Sequence, residues 1–149
     1  MYHAVKSDFE KVKEIFYLHK KWFPHVRTDY MKRMIAKKNL ILENDVVITY
    51  NFYKRKQKIG DVQAFKGDCI LHQIVAKTKG TASDVLQSFF KFVNHNPLGR
   101  RVYLSVRSDN EMAKNFYLKN NMKLIGKTSW SKGTLPGDVF VYDPWTYET

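Results

Sequence analysis

The chain has 149 residues and a mass of 17.6 kDa, enough for one domain with a buried core, and its 44% hydrophobic and 15% aromatic content excludes a disordered polymer. A net charge of +12, from 26 Lys and Arg against 14 Asp and Glu, favours anionic partners, yet the basic residues are spread along the chain without an RNP or zinc-finger signature. No apolar run is long enough for a membrane span, Met1–Asp8 lacks a signal-peptide stretch, and the lone Cys69 speaks against an intrachain disulfide or a cysteine-rich metal site. The expectation is a soluble, cytoplasmic, single-domain protein over residues 1–149, with no metal site.

Met1 to Val5 reads as a short first strand. Ser7-Asp8-Phe9-Glu10 has the spacing of a capping box, and Phe9, Val12, Phe16 and His19 then recur on one helical face beside Ile15 and Leu18. That helix should end before Pro24, because the residue preceding proline is pushed out of the α region. Thr28-Asp29 is placed to cap a second helix carrying Tyr30, Met31, Met34 and Ile35, with Lys37-Lys38 at its end. Residues 39–43 and 46–53 predict paired strands around a turn at Asn44-Asp45. The stretch from Lys54 to Gly67 is polar and poorly patterned, and reads as strand ends and a loop.

Cys69 to Ala76 predicts a largely apolar strand buried on both faces. Ser83 to Asn94 predicts a helix with Val85, Leu86, Phe89, Phe90 and Val93 inward. Pro97-Leu98-Gly99 reads as a turn, Val102 to Val106 as a central strand and Glu111 to Asn120 as a helix. Met122 to Trp130 and Asp138 to Asp143 read as the last strands, joined through Gly133 to Gly137. There is no internal repeat. The order β-α-α-β-β-β-α-β-α-β-β fits an α/β (α+β) fold with one mixed sheet and helices on both faces.

Two segments carry chemistry. Lys77-Thr78-Lys79-Gly80-Thr81-Ala82 stands between the strand ending at Ala76 and the following helix. A small-residue turn there collects free backbone N–H groups at the positive end of the helix dipole, which suits a phosphate, and Gly80 permits close backbone approach. Lys77 and Lys79 add positive charge. The second segment is Asn110-x-x-Ala113-x-x-Phe116-Tyr117-x-x-x-Asn121-Met122, in which Asp109 or Asn110 can cap the helix. The hydroxyl of Tyr117, with an ordinary pKa of about 10, suits donation to a departing thiolate.

Strand, [Gln/Arg]-x-x-Gly-x-[Gly/Ala], helix, strand, then Asn-x-x-Ala-x-x-Phe-Tyr-x-x-x-Gly-Phe is the pattern of the GNAT acetyltransferase superfamily, which this chain resembles from about Ile70 to Ile125. The resemblance implies a fold whose central parallel strands splay to admit acetyl-coenzyme A as cosubstrate. Backbone groups from Thr78 through Lys79, Gly80, Thr81 and Ala82 to Ser83 would take the pyrophosphate, beside Lys77. Ile74, Val75 and Ala76 would pair with the pantetheine arm. Asn110 and Ala113 would border the arm, Phe116 would pack nearby, and Tyr117 would stand near the sulfur as general acid. Three departures are visible: Lys77 stands where Gln or Arg is usual, the phosphate loop is short, and Asn121-Met122 replaces Gly-Phe.

The implied reaction is attack of a primary amine on the thioester. Where relatives that acetylate protein N-termini carry a Glu, this chain has Ser105, which cannot act as a base unaided. His72, on the strand before the Gly80 turn, is the nearest titratable alternative. Trp22, Phe23, Tyr30, Tyr50 and Phe52 suggest an apolar acceptor wall, and the basic surface favours an acidic or phosphorylated acceptor. A coenzyme A-binding domain without turnover is the main alternative. A basic nucleic-acid module using Tyr50 to Lys56 is not expected, because alternation places Tyr50 and Phe52 on one sheet face. Monomer and homodimer are both compatible with the sequence.

Overall fold

Asn44 and Asp45 both take positive φ, 49° and 59°. Two successive left-handed residues match the twist of flanking antiparallel strands, and Asn and Asp tolerate that region best after glycine. They join β1 (Leu40–Glu43) to β2 (Val46–Phe52), paired from Leu40↔Thr49 to Glu43↔Val46. The computed structural model describes residues 1–95 and 100–146, so the turn expected at Pro97-Leu98-Gly99 lies outside the described residues.

The remaining elements are α1 (Phe9–Tyr17), α2 (Thr28–Ala36), β3 (Gln57–Ile59), β4 (Val62–Ala64), β5 (Cys69–Ala76), α3 (Ala82–Val93), β6 (Val102–Arg107), α4 (Glu111–Lys119), β7 (Lys123–Trp130) and β8 (Leu135–Tyr142). Six strands form a sheet in the order β1-β2-β5-β6-β8-β7. β5 runs parallel to β6, through Cys69↔Val102 and Ile70↔Tyr103, while β6–β8 and β7–β8 are antiparallel. The expected mixed α/β architecture is thus present, with a six-stranded mixed sheet and four helices among the described residues. No helix among them is long and apolar enough to cross a membrane.

Several local expectations are corrected. The first strand is reduced to a single bridge, His3↔Ile41. Ser7 is no helix cap: Lys6–Asp8 form a 3₁₀ turn, and the Asp8 carboxylate instead accepts the Val5 N–H at 2.8 Å. A carboxylate accepts from a backbone N–H more strongly than a hydroxyl does, which favours Asp8 over its neighbour. Thr28 is the first helical residue of α2, after Arg27. The polar stretch after Tyr53 holds a hairpin, β3 with β4, in register Gln57↔Ala64 to Ile59↔Val62. β5 is not apolar on both faces. Cys69, Leu71, Gln73 and Val75 are buried, while the alternate residues are half-buried and His72 is exposed. The last hairpin turns at 131–134, so Gly137 lies within β8, where the Trp130 ring covers it and leaves no room for a side chain.

The chain divides into two compact units, with boundaries inside β2, inside β5 and inside α3. In the first unit, Met1–Tyr50 with His72–Phe89, Val12, Ile15 and Phe16 of α1 and Met31, Met34 and Ile35 of α2 form one core with Leu40, Val47 and Val75. Those are the helical faces that the apolar spacing marked out, except Leu18, which is exposed. In the second unit, Asn51–Leu71 with the chain from Phe90 onward, Ala64, Tyr103 and Val141 form a smaller cluster with Ile59, Val62 and Ile70.

Candidate functional site

The Gly80 turn lies in the first unit, between the end of β5 and the first turn of α3. Gly80 has φ of +93°, a backbone conformation that side-chain-bearing residues rarely adopt, and a Cβ placed there would meet nothing within 4 Å. The backbone therefore borders open space, as a surface approached by a ligand requires. The first amides of α3 have no intrahelical acceptors and point along the positive end of its dipole. Thr81 Oγ1 donates to the Thr78 carbonyl at 3.2 Å, which closes the turn on itself.

The two lysines differ. The Lys77 N–H donates to the Asp45 carbonyl at 2.9 Å, and its ammonium lies 3.2 Å from Glu14 Oε1. Lys77 therefore ties the end of β5 to the β1–β2 turn and α1, and its charge is partly spent. Lys79 is fully on the exposed stretch. Of the two, Lys79 has the charge to offer a phosphate.

On β5, Val75 is buried in the first unit's core, and Ile74 and Ala76 are half-buried on the opposite side of the strand. His72 is on that same side by alternation. Its imidazole reaches solvent, yet the protein packed around it disfavours the charged form and lowers its pKa from the ordinary value. Beneath β5, the Gln73 Oε1 accepts from Thr49 Oγ1 and from the Tyr30 hydroxyl, the latter at 2.8 Å. This buried triad pins β5 to β2 and α2, and sequence periodicity gave no sign of it, since each member looks like an ordinary strand or helix residue. His19 is a second residue whose role was not visible. It lies beyond the end of α1, and its Nε2 donates to the Ala76 carbonyl at 2.8 Å.

The second segment lies in the other unit. Asn110, rather than Asp109, caps α4, its Oδ1 accepting the Ala113 N–H at 3.2 Å. Asp109 is instead paired with Arg107 at 2.8 Å. Asn121 takes φ of +69°, and the Met122 N–H donates to the Tyr117 carbonyl at 3.1 Å. Asparagine thus closes the helix where the related pattern has glycine. Ala113 and Phe116 are half-buried, and Tyr117 is 8% exposed, its ring packed against Phe116 and Phe140. Burial pushes the Tyr117 hydroxyl pKa up, so it stays protonated across the physiological range. Ser105, on β6 opposite Val139, is half-buried. Cys69 is fully buried and its thiol pKa is raised by burial, which makes it a core residue.

One carboxylate stands out. Asp138 of β8 is fully buried and held at a pKa of about 2 by the ammonium of Lys127, with Lys114 and the Ser108 hydroxyl adding to it. Ser108 Oγ donates to its Oδ1 at 2.8 Å, Lys127 Nζ lies 2.6 Å from Oδ1, and Lys114 Nζ lies 2.9 Å from Oδ2. A group held so low cannot accept a proton near neutral pH, so Asp138 is a structural anion and not the missing base.

No protein-family model matches the sequence, and no curated protein matches it significantly. Solved structures do. A GNAT-family acetyltransferase from Bacillus cereus superposes with a TM-score of 0.68 at 17% identity, over 95% of this chain and 94% of that one. Arabidopsis thaliana NAA60 in complex with acetyl-CoA gives 0.67 at 14% identity, over 95% and 97%. The GNAT-like decarboxylase GphF in complex with isobutyryl-CoA gives 0.69 at 11% identity, over 95% and 97%. The likeness in fold extends over 95% of the chain, and the protein has the GNAT fold.

Proposed function

We propose that the protein transfers an acetyl group from acetyl-coenzyme A to a primary amine, with residues 1–149 acting as one catalytic domain. The observation that carries the reading is the Gly80 turn: a positive-φ glycine bordering open space at the N-terminus of α3, directly after β5. The pyrophosphate is assigned to the amides of Thr78 to Ser83, with Lys79 as the nearby cation. The pantetheine arm is assigned to Ile74, Val75 and Ala76 at the end of β5.

In the reaction, the neutral amine attacks the thioester carbonyl, the new C–N bond forms and the C–S bond breaks. The nitrogen gives up a proton to His72, and coenzyme A leaves as a thiolate that takes its proton from solvent; His72 then returns its proton to solvent. A lowered imidazole pKa keeps His72 neutral at pH 7, as an acceptor must be. Its protonation on the acid side of the ordinary His value would abolish that role. The kcat/KM profile is therefore expected to fall as pH drops below about 6.5, and His72→Ala should remove that limb while lowering the plateau about tenfold or more. A limb that persists in the variant would assign it to another group.

Replacing Gly80 tests the donor side. A Cβ added at Gly80 meets nothing within 4 Å, so the main cost of Gly80→Val to the fold is the backbone strain of about 1–3 kcal/mol. The added branch occupies the space assigned to the phosphates, and the Kd for acetyl-coenzyme A should rise at least about tenfold. Titration calorimetry on the folded variant reads this directly. Unchanged affinity would show that the pyrophosphate binds elsewhere.

A second reading, coenzyme A binding without turnover, draws on Ser105 standing where a carboxylate base would be. Release of free thiol in the presence of amine acceptors separates the two.

A further inference from the structure

The first unit contains a cleft of about 460 Å³ between the end of α1 and the start of α2. That volume is in the range of small-molecule sites. Phe16, Tyr17, Phe23 and Pro24 form its apolar wall, with Phe16 and Phe23 meeting edge to face at 6.3 Å between ring centroids. Lys20 and Arg27 also line it, with Val26 and Thr28. Neither cation takes part in the ion pairs formed among the described residues, unlike Lys11 and Lys77 nearby, which pair with Asp45 and Glu14. The neighbouring Lys21 lies over the Trp22 ring, 5.1 Å from its centroid. No acidic residue lines the cleft. It therefore has an aromatic body and two uncompensated cations.

Its position is set by His19. The imidazole, one residue before Lys20, donates to the Ala76 carbonyl and so fixes this turn against the last residue of β5. The first turn of α2 opens on the same cleft through Arg27 and Thr28, and its amides add positive potential to that of the side chains.

We propose that this cleft binds the acyl acceptor, a small primary amine with an apolar or aromatic body and an anionic end group. The body lies on Phe16, Tyr17, Phe23 and Pro24, and the anion is held by Lys20 and Arg27. An aromatic cleft alone would take any apolar amine. Two cations outside the ion pairs of the described residues bias it against amines that carry only positive charge, because such a ligand leaves both cations facing a like charge. The inference rests on the acyltransferase reading, and names the class of amine it uses.

The test compares three amines of similar bulk by calorimetry and by thiol release with acetyl-coenzyme A: L-phenylalanine, tyramine phosphate and phenethylamine. The two anionic amines should bind about tenfold tighter than phenethylamine or better, and turn over in the same order. Whichever of them binds tighter identifies carboxylate or phosphate as the preferred anion. In Lys20→Glu/Arg27→Glu, two changes at exposed positions, the preference should vanish or invert while melting temperature and the Kd for acetyl-coenzyme A stay within about twofold. The proposal is overturned if phenethylamine binds as well as the anionic pair, if neither anionic amine binds, or if their advantage survives the double substitution. Binding of the amines in the cleft without binding of acetyl-coenzyme A would sink the donor assignment and leave the cleft's charge selectivity standing. Donor binding with charge-blind acceptors would do the reverse.

Discussion

Tyr117→Phe is expected to lower kcat by about a hundredfold and to change the Kd for acetyl-coenzyme A by less than about threefold. The substitution removes one oxygen and keeps the ring, so the packing against Phe116 and Phe140 and the closure of α4 through the Tyr117 carbonyl persist. What disappears is a donor in a dry environment. The direction of its pKa shift sharpens the role. Burial moves the phenol above its ordinary value of about 10, whereas a free thiol titrates near 8.5, so complete proton transfer to the thiolate is uphill. The hydroxyl is then expected to act mainly by hydrogen bonding to the charge that develops on sulfur, with solvent supplying the final proton. Two consequences can be measured together. In the wild type, kcat should show no alkaline loss from this group below about pH 10, because the buried phenol remains neutral there. In the variant, kcat and kcat/KM should fall by the same factor, the mark of an interaction made only in the transition state. If kcat is unchanged, Tyr117 is a packing residue and nothing more.

How far the sequence could lead depended on whether a signal was local. The Gly80 turn, the Asn44-Asp45 turn and the left-handed Asn121 were legible because each is a demand on one or two backbone angles, which residue type expresses directly. The inward faces of α2 and α3 were legible because 3.6-residue spacing is a local property. The hairpin of β3 and β4 was missed since two three-residue strands are too short to display alternation. β5 read as buried on both faces because Ile70, Ile74 and Ala76 hide its half-open side, and only His72 and Gln73 interrupt the apolar run. The contacts that fix the site were the hardest to see. His19 with Ala76, Tyr30 with Thr49 and Gln73, and Asp138 with Lys114 each join residues on different elements, and nothing in the neighbourhood of either partner announces the other.

Asp138→Ala is the substitution expected to cost the most stability, about 3 kcal/mol. The carboxylate is fully buried, and it is the shared anion for Lys127 across the β7–β8 ladder and for Lys114 in the first half of α4. Lys127 is largely exposed and can return to water when its partner is lost, whereas the Lys114 side chain is only 20% exposed and would be left with the Ser108 carbonyl at 3.2 Å and the exposed Glu111. The loss therefore falls mainly on the packing of α4 against the strands, and the estimate sits at the low end for breaking a buried ion pair. The pH dependence gives a signature. The folded-state pKa of about 2 lies below the unfolded value near 3.9, so this stabilisation is complete above that unfolded value and is lost as pH falls through 2. Urea unfolding of the wild type should thus show a midpoint that declines from about pH 4 downward, and the Ala variant should lack that component while being weaker at pH 7. A variant as stable as the wild type at neutral pH would mean that desolvation of the carboxylate cancels its two ion pairs. α4 also carries Asn110, Ala113 and Tyr117, so the same loosening should appear in catalysis. Combining Asp138→Ala with Tyr117→Phe is expected to reduce kcat by less than the product of the single effects, because a displaced α4 has already forfeited part of what the hydroxyl contributes.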